Sequence, residues 1–218
     1  MKNLILYMAL PLLFFSCANG QSKQDMAMAK LPVAKPGQAV ATFGSGCFWA
    51  STEAMSELKG VDKAISGYAG GNTKNPTYEE VCSETTNHAE CVQVYYDPSV
   101  ISYEKLCEAF FNAHNPTELN YQGPDEGASY RSIAFYRTPE EKATLLAMIK
   151  KIVASKRYDA PIVTQVVPFK VFYPAENYHQ GYFKLHPDRA YIQSVSLPKV
   201  QNMRKAMKAW LKPEFQNK

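Results

Sequence analysis

A chain of 218 residues, 46% hydrophobic and 20% charged, is long enough for one well-cored domain with tails, and nothing in its composition demands a second. The formal charge of +4 is gathered at the start: residues 1–36 hold Lys2, Lys23, Lys30 and Lys35 against Asp25, a net of +3, which leaves +1 for the rest. A nearly neutral domain offers no electrostatic case for a nucleic-acid partner.

Residues 4–15 are an apolar run after Lys2, too short for a bilayer span of ~20 apolar residues, and they read as the core of a signal peptide. Two processing routes fit. Phe15-Ser16-Cys17 has the form of a bacterial lipoprotein box with Cys17 as the lipidated residue, although Phe14 and Phe15 are bulky for one. Ala18-Asn19-Gly20 before Gln21 suits an ordinary signal peptidase. Cys17 stands where the apolar run stops, which favours lipidation and an exported protein held at a membrane of the bacterial envelope or periplasm. Residues 1–20 are therefore assigned as signal peptide. Residues 21–36, which lack an amphipathic period, are assigned as a tether, and 37–218 as the domain.

The hydrophobic pattern then predicts a strand at 40–43, a helix at 48–58, a strand at 61–68 and a loop at Gly70-Gly71. A strand at 89–96, a helix at 103–113, a long Asn/Pro/Gly-rich loop and a strand at 132–136 follow. Strand-helix-strand, given twice, is the order of a ferredoxin-like split βαβ unit. The expected fold class is α+β, a two-layer sandwich with helices on one face of a mixed sheet. Tyr103, Leu106, Cys107, Phe110 and Phe111 form one apolar helix stripe, which makes Cys107 a core residue. A third helix opens at Thr138-Pro139-Glu140-Glu141, with threonine as cap and glutamate three residues on, and Leu145, Ile149, Ile152 and Val153 are expected to face inward. After a strand near 162–167, a last helix near 199–211 sets Val200, Met203, Met207, Trp210 and Leu211 against Arg204, Lys205 and Lys208 on its other side. Packing on its own domain is the commoner fate of such a stripe than binding a membrane surface.

The most informative stretch is Gly46-Cys47-Phe48-Trp49. Cys47 falls at a helix N-terminus, where free N–H groups and the helix dipole are expected to favour the nucleophilic thiolate. A cysteine is more often a small buried hydrophobe, but the Gly44-Ser45-Gly46 approach and the paired aromatics describe a pocket. His88, His114 and His186 have no metal-ligand spacing, so no metal is expected. Gly67, Gly70 and Gly71 read as turn or close-packing glycines rather than a phosphate loop.

Further motifs follow: Gly67-Tyr68-Ala69-Gly70-Gly71, Asn75-Pro76-Thr77-Tyr78, His88-Ala89-Glu90, Tyr96-Asp97-Pro98 and Tyr130-Arg131-Ser132. With Gly44 to Trp49 they occur in an order and at separations that resemble the A-type peptide methionine sulfoxide reductases, over roughly residues 40–191. The resemblance implies a comparable α/β core and peptide-methionine (S)-S-oxide reductase activity. It also implies an external thiol reductant such as a thioredoxin-like protein, with no other cofactor. Oxidised proteins, peptides or free methionine sulfoxide are the substrates expected. Cys47 would attack the sulfoxide sulfur, release methionine and remain as a sulfenic acid. Glu90 is the candidate acid, because a carboxyl in a partly apolar site is protonated near neutrality. Tyr78 and Tyr130 would donate hydrogen bonds to the oxygen. Asp125, in Gln122-Gly123-Pro124-Asp125, matches an acidic family position that helps hold the site, while Gly-Pro-Asp is also good turn chemistry. Phe48 and Trp49 would wall the methyl group, and His179, in Tyr178-His179-Gln180, would support the site.

Many A-type members carry C-terminal cysteines that capture the sulfenic acid, and here none follows Cys107. Cys82 has family counterparts that are not generally the resolving thiol, and Cys91, next to Glu90 in a strand, should face the other side of the sheet. A single working thiol is expected. The competing enzyme readings are a thiol peroxidase or a cysteine hydrolase, the latter needing a histidine on the thiol. A non-enzymatic lipoprotein would bind sulfide and sulfoxide equally and turn over neither.

Overall fold

The computed structural model describes residues 22–217; Cys17 and the signal-peptide assignment lie outside the described residues. In chain order the elements are α1 (Lys23–Met26), β1 (Ala39–Ser45), α2 (Phe48–Ser56), β2 (Val61–Ala69), α3 (Tyr78–Cys82), β3 (Ala89–Tyr96), α4 (Tyr103–Asn112), β4 (Tyr121–Gln122), β5 (Asp125–Glu126), β6 (Ser132–Tyr136), α5 (Pro139–Ala154), β7 (Gln165–Pro168), β8 (Phe172–Pro174), α6 (Tyr182–Leu185) and α7 (Leu197–Ala206). The main sheet runs β7-β6-β1-β3-β2-β8. Only β6 and β7 pair in parallel. The unit β1-α2-β2 straddles β3, and β3-α4-β6 straddles β1, so the four central strands form the split βαβ arrangement expected from the order of elements.

Strand β3 is buried at all of its positions, because helices cover one face and a layer of loops the other. Val92, Val94 and Tyr96 join Leu106, Phe110 and Phe111 of α4 in the main core. Ala89 and Cys91 pack with Ile133, Phe135 and Phe172 on the reverse face. The period of two thus turns Glu90 toward the helix layer and Cys91 away from it. Cys107 is fully buried in the α4 stripe, and Ser102 caps that helix by accepting the Lys105 N–H at 3.3 Å.

Four expectations need correction. Val153 is 59% exposed, and Met148 takes the inward place beside Leu145, because α5 lies over the edge strands and turns its last residues to solvent. The last helix stops at Ala206, and a short 3₁₀ turn at Lys208–Trp210 carries the chain back so that Leu211 pairs with Leu58. Arg204, expected on the solvated side, instead donates to both oxygens of Glu57, at 2.8 and 2.6 Å. Part of the segment read as a tether also packs on the domain: Ala29 N–H donates to Ala175 O at 3.0 Å, and Met28 bridges Glu176. No helix among the described residues is long and apolar enough to cross a membrane.

Candidate active site

Strand β1 delivers the chain to Gly46, whose φ of +80° excludes most side chains. A Cβ there would also lie 2.6 Å from the Gln122 side chain. Glycine meets both demands, and the turn leaves Cys47 as the N-cap of α2, buried at 6% exposure. From β3, Glu90 at 2% exposure accepts the Phe48 N–H at 3.0 Å and is hydrogen-bonded to the Cys47 thiol. Burial pushes this carboxyl up to about 8 despite the Phe48 N–H, with Asp125 adding to the rise. Glu90 is therefore protonated at neutral pH.

The thiol does not rest as the expected thiolate. Burial and the neighbouring Glu90 push Cys47 well above its ordinary value, although the Trp49 N–H and the Tyr191 hydroxyl both hydrogen-bond to the sulfur. The sizes explain the outcome: a helix terminus contributes at most ~2 kcal/mol, about 1.5 pH units, whereas full burial shifts a group by up to ~3–5 units. The resting pair thus holds two protons, one on sulfur and one on the carboxyl.

A cavity of about 490 Å³ opens over this pair. Phe48 and Trp49 form its apolar wall, and Trp49 is fixed from three sides. It stacks on Tyr182 at 3.8 Å, meets Tyr191 edge-on at 5.7 Å and donates Nε1–H to His179 Nδ1 at 3.1 Å. His179, 1% exposed, packs 4.5 Å from Tyr78 and 4.9 Å from Phe48, and burial takes it down to about 3. It is a neutral acceptor that orients the aromatic wall, and the group on the thiol is a carboxyl rather than an imidazole. Tyr78 and Tyr130 line the cavity, and burial first, then Glu90, holds both hydroxyls well above the usual phenol range, so they remain donors. The β4–β5 hairpin brings in Asp125, which accepts the Tyr191 hydroxyl at 2.7 Å. Every site residue named from the sequence within the described residues gathers here.

Sequence reasoning missed several neighbours. Glu176, 2% exposed, accepts the Tyr68 hydroxyl and the Tyr78 N–H, each at 2.9 Å, and so fixes the start of α3. Tyr191 joins thiol to Asp125, and Lys199 lies 3.6 Å from Asp125. The matching stretch ran to Tyr191, which offered some signal for that residue; Glu176 and Lys199 had none. Cys91 and Cys107 are fully buried, whereas Cys82 is exposed at the end of α3 beside Tyr78. Among the described residues no group of three or more His, Cys, Asp or Glu side chains is placed to hold a metal ion.

A shielded thiol paired with a protonated carboxyl, ringed by phenols and walled by tryptophan, defines a thiol-dependent enzyme on an α+β fold. A family model described as peptide methionine sulfoxide reductase matches residues 39–211. The peptide methionine sulfoxide reductase MsrA of Haloquadratum walsbyi is 50% identical over 164 residues, covering 75% of this chain and 93% of that protein. The MsrA of Thermus thermophilus is 44% identical over 174 residues, covering 80% and 98%. Among solved structures, reduced Mxr1 of Saccharomyces cerevisiae superposes with a TM-score of 0.67 at 31% identity, over 72% of this chain and 91% of that one. The chain belongs to the peptide methionine sulfoxide reductase family and is an oxidoreductase acting on sulfur.

Proposed function

We propose that the enzyme reduces the S epimer of methionine sulfoxide with Cys47 as the attacking thiol and Glu90 as the acid. The observation that carries this reading is the hydrogen-bonded Cys47–Glu90 pair, both members protonated, at the base of an aromatic cavity. The sulfoxide methyl lies against Phe48 and Trp49, and the oxygen receives hydrogen bonds from Tyr78 and Tyr130. As the Cys47 sulfur bonds to the sulfoxide sulfur, Glu90 gives its proton to the oxygen and takes the thiol proton in exchange. The hydroxyl then passes to Cys47 as the bonds to the substrate sulfur break, so methionine leaves reduced by two electrons and Cys47 becomes a sulfenic acid, oxidised by two. Asp125, through Tyr191, holds this geometry.

Return of Cys47 to the thiol then falls to an external dithiol of thioredoxin type, which releases water and leaves as a disulfide. Burial of Cys91 and Cys107 in the core supports a single working thiol. Yeast Mxr1 has been solved in complex with Trx2, a precedent for such a donor. The N-terminal pattern supports export and lipidation at Cys17, which would place repair of oxidised proteins at the cell envelope.

Turnover with separated R and S epimers and a chemical dithiol tests the reading: methionine is expected from the S epimer alone, and at background from Cys47→Ser. Appreciable activity in that variant would overturn the mechanism. For the anchor, full-length protein expressed in a bacterium should partition with membranes and Cys17→Ser should not. An unlipidated N-terminus at Gln21, read by intact mass, would reject lipidation.

A further inference from the structure

The reaction centre crowds acidic groups. Cys47, Glu90 and Asp125 share one cavity wall, and each of the two carboxyl groups raises the cost of charge on the sulfur. Attack on a sulfoxide must place negative charge there, in a cleft with little water to spread it. Among the described residues, the buried cation facing this group is Lys199, in the first turn of α7. Its Nζ lies 3.6 Å from Asp125 Oδ2, is shut off from solvent and makes no hydrogen bond among the described residues. It also sits directly beneath the turn that carries the thiol, since a Cβ added at Gly46 would fall 3.3 Å from it.

This placement is poor for stability and well suited to a field. Arg204, a little further along the same helix, holds Glu57 through two hydrogen bonds, as structural ion pairs do. The Lys199 ammonium stands in ion-pair range of Asp125 without a hydrogen bond among the described residues, and its charge also acts on Glu90. The remaining groups around the centre do not replace it. Tyr78, Tyr130 and Tyr191 are held neutral by burial. Burial takes His114, which also feels the Lys199 charge, down to about 4 and His179 to about 3, so both are neutral. Cys82 is hydrogen-bonded to Tyr78 with its thiol pushed up by partial burial, and Arg189 is exposed and lines the cavity.

We propose that Lys199 is a positioning residue whose ammonium offsets the Asp125 carboxylate, so that the Cys47–Glu90 pair can carry the negative charge of attack. This rests on Cys47 being the nucleophile, and the test separates the two ideas by following the thiol without any sulfoxide. Iodoacetamide alkylation of Cys47, located by peptide mass, is measured against pH in the wild type, Lys199→Met, Lys199→Arg and the double variant Asp125→Asn/Lys199→Met. In Lys199→Met, loss of a neighbouring opposite charge should slow alkylation at least about tenfold at any pH below the midpoint. Lys199→Arg should stay within about threefold of wild type, and the double variant should recover most of the loss, because the carboxylate needing an offset is gone. Lys199→Gln serves if the methionine variant does not fold. An unchanged rate in Lys199→Met, an equal fall in Lys199→Arg, or no recovery in the double variant would each overturn the proposal. Sulfoxide turnover surviving in Cys47→Ser would instead sink the nucleophile assignment and leave these thiol titrations standing.

Discussion

Glu57 and Glu90 are both almost wholly buried carboxyl groups, 0% and 2% exposed, yet the fold uses them in opposite ways. Both oxygens of Glu57 are taken by the fork of Arg204, so the charge is neutralised where it stands and ties the end of α2 to α7. Glu90 receives one backbone N–H and a thiol, with no guanidinium, and keeps its proton up to about pH 8. Burial alone therefore does not decide whether a carboxyl keeps its proton. A buried carboxyl becomes a proton donor where the structure withholds a strong counter-ion, and a staple where it supplies one.

The largest expected effect tests the staple. Arg204→Met leaves Glu57 buried without its guanidinium, with only the Glu53 carboxyl still hydrogen-bonded to it, and should cost ~3–5 kcal/mol of stability in urea unfolding, with turnover per folded molecule little changed. Glu57→Leu/Arg204→Met should regain most of that loss. A cost under ~1 kcal/mol for the single change would mean the pair is an ordinary surface ion pair and would dissolve the contrast.

Next in size is Glu90→Gln, which keeps the shape and cannot give a carboxylic proton. The single-turnover rate of sulfenic-acid formation should fall ~10²-fold, with binding less affected. The wild-type acid should fade as pH rises through about 8, and the variant should lack that limb. Stability sharpens the point in the opposite direction. A carboxyl raised from 4.5 to about 8 contributes its full stability below 4.5, loses it as pH climbs through that window and has none left above about 8. The Tm of Glu90→Gln relative to wild type should therefore rise between pH 5 and 9. A flat difference would mean Glu90 titrates normally.

The smallest effect belongs to Cys107→Ala, a buried thiol outside the site. It should cost on the order of 1 kcal/mol of stability and leave the rate alone. A large loss of rate would place the working sulfur in the wrong element.

Much of this was legible locally. The Tyr103–Phe111 stripe, the Thr138 cap and the period-two pattern through Glu90 and Cys91 each report on near neighbours, and each appears in the fold. The thiol at a glycine turn and the tyrosines in their motifs could be named as well. The misses share a cause. Val153 and Arg204 were placed by helical period alone, yet an edge-strand neighbour and a buried Glu57 decided their surroundings. Elements α3 and α6 and strand β8 are too short to carry a period, and Glu176 matters only because Tyr68 and Tyr78 arrive beside it from some hundred residues away.

The sequence by itself determined which cysteine follows a glycine turn at a helix start, the order of elements that builds the split βαβ sheet, and the family to which the chain belongs. Its helix-terminus logic also said that the sulfur should rest as a thiolate, and there the tertiary structure decided otherwise. A helix dipole acts over one turn and can be read from a few residues. Desolvation depends on everything packed around the group, and at Cys47 that packing comes from β3, the β4–β5 hairpin and the segment at Tyr191, brought together only by the fold.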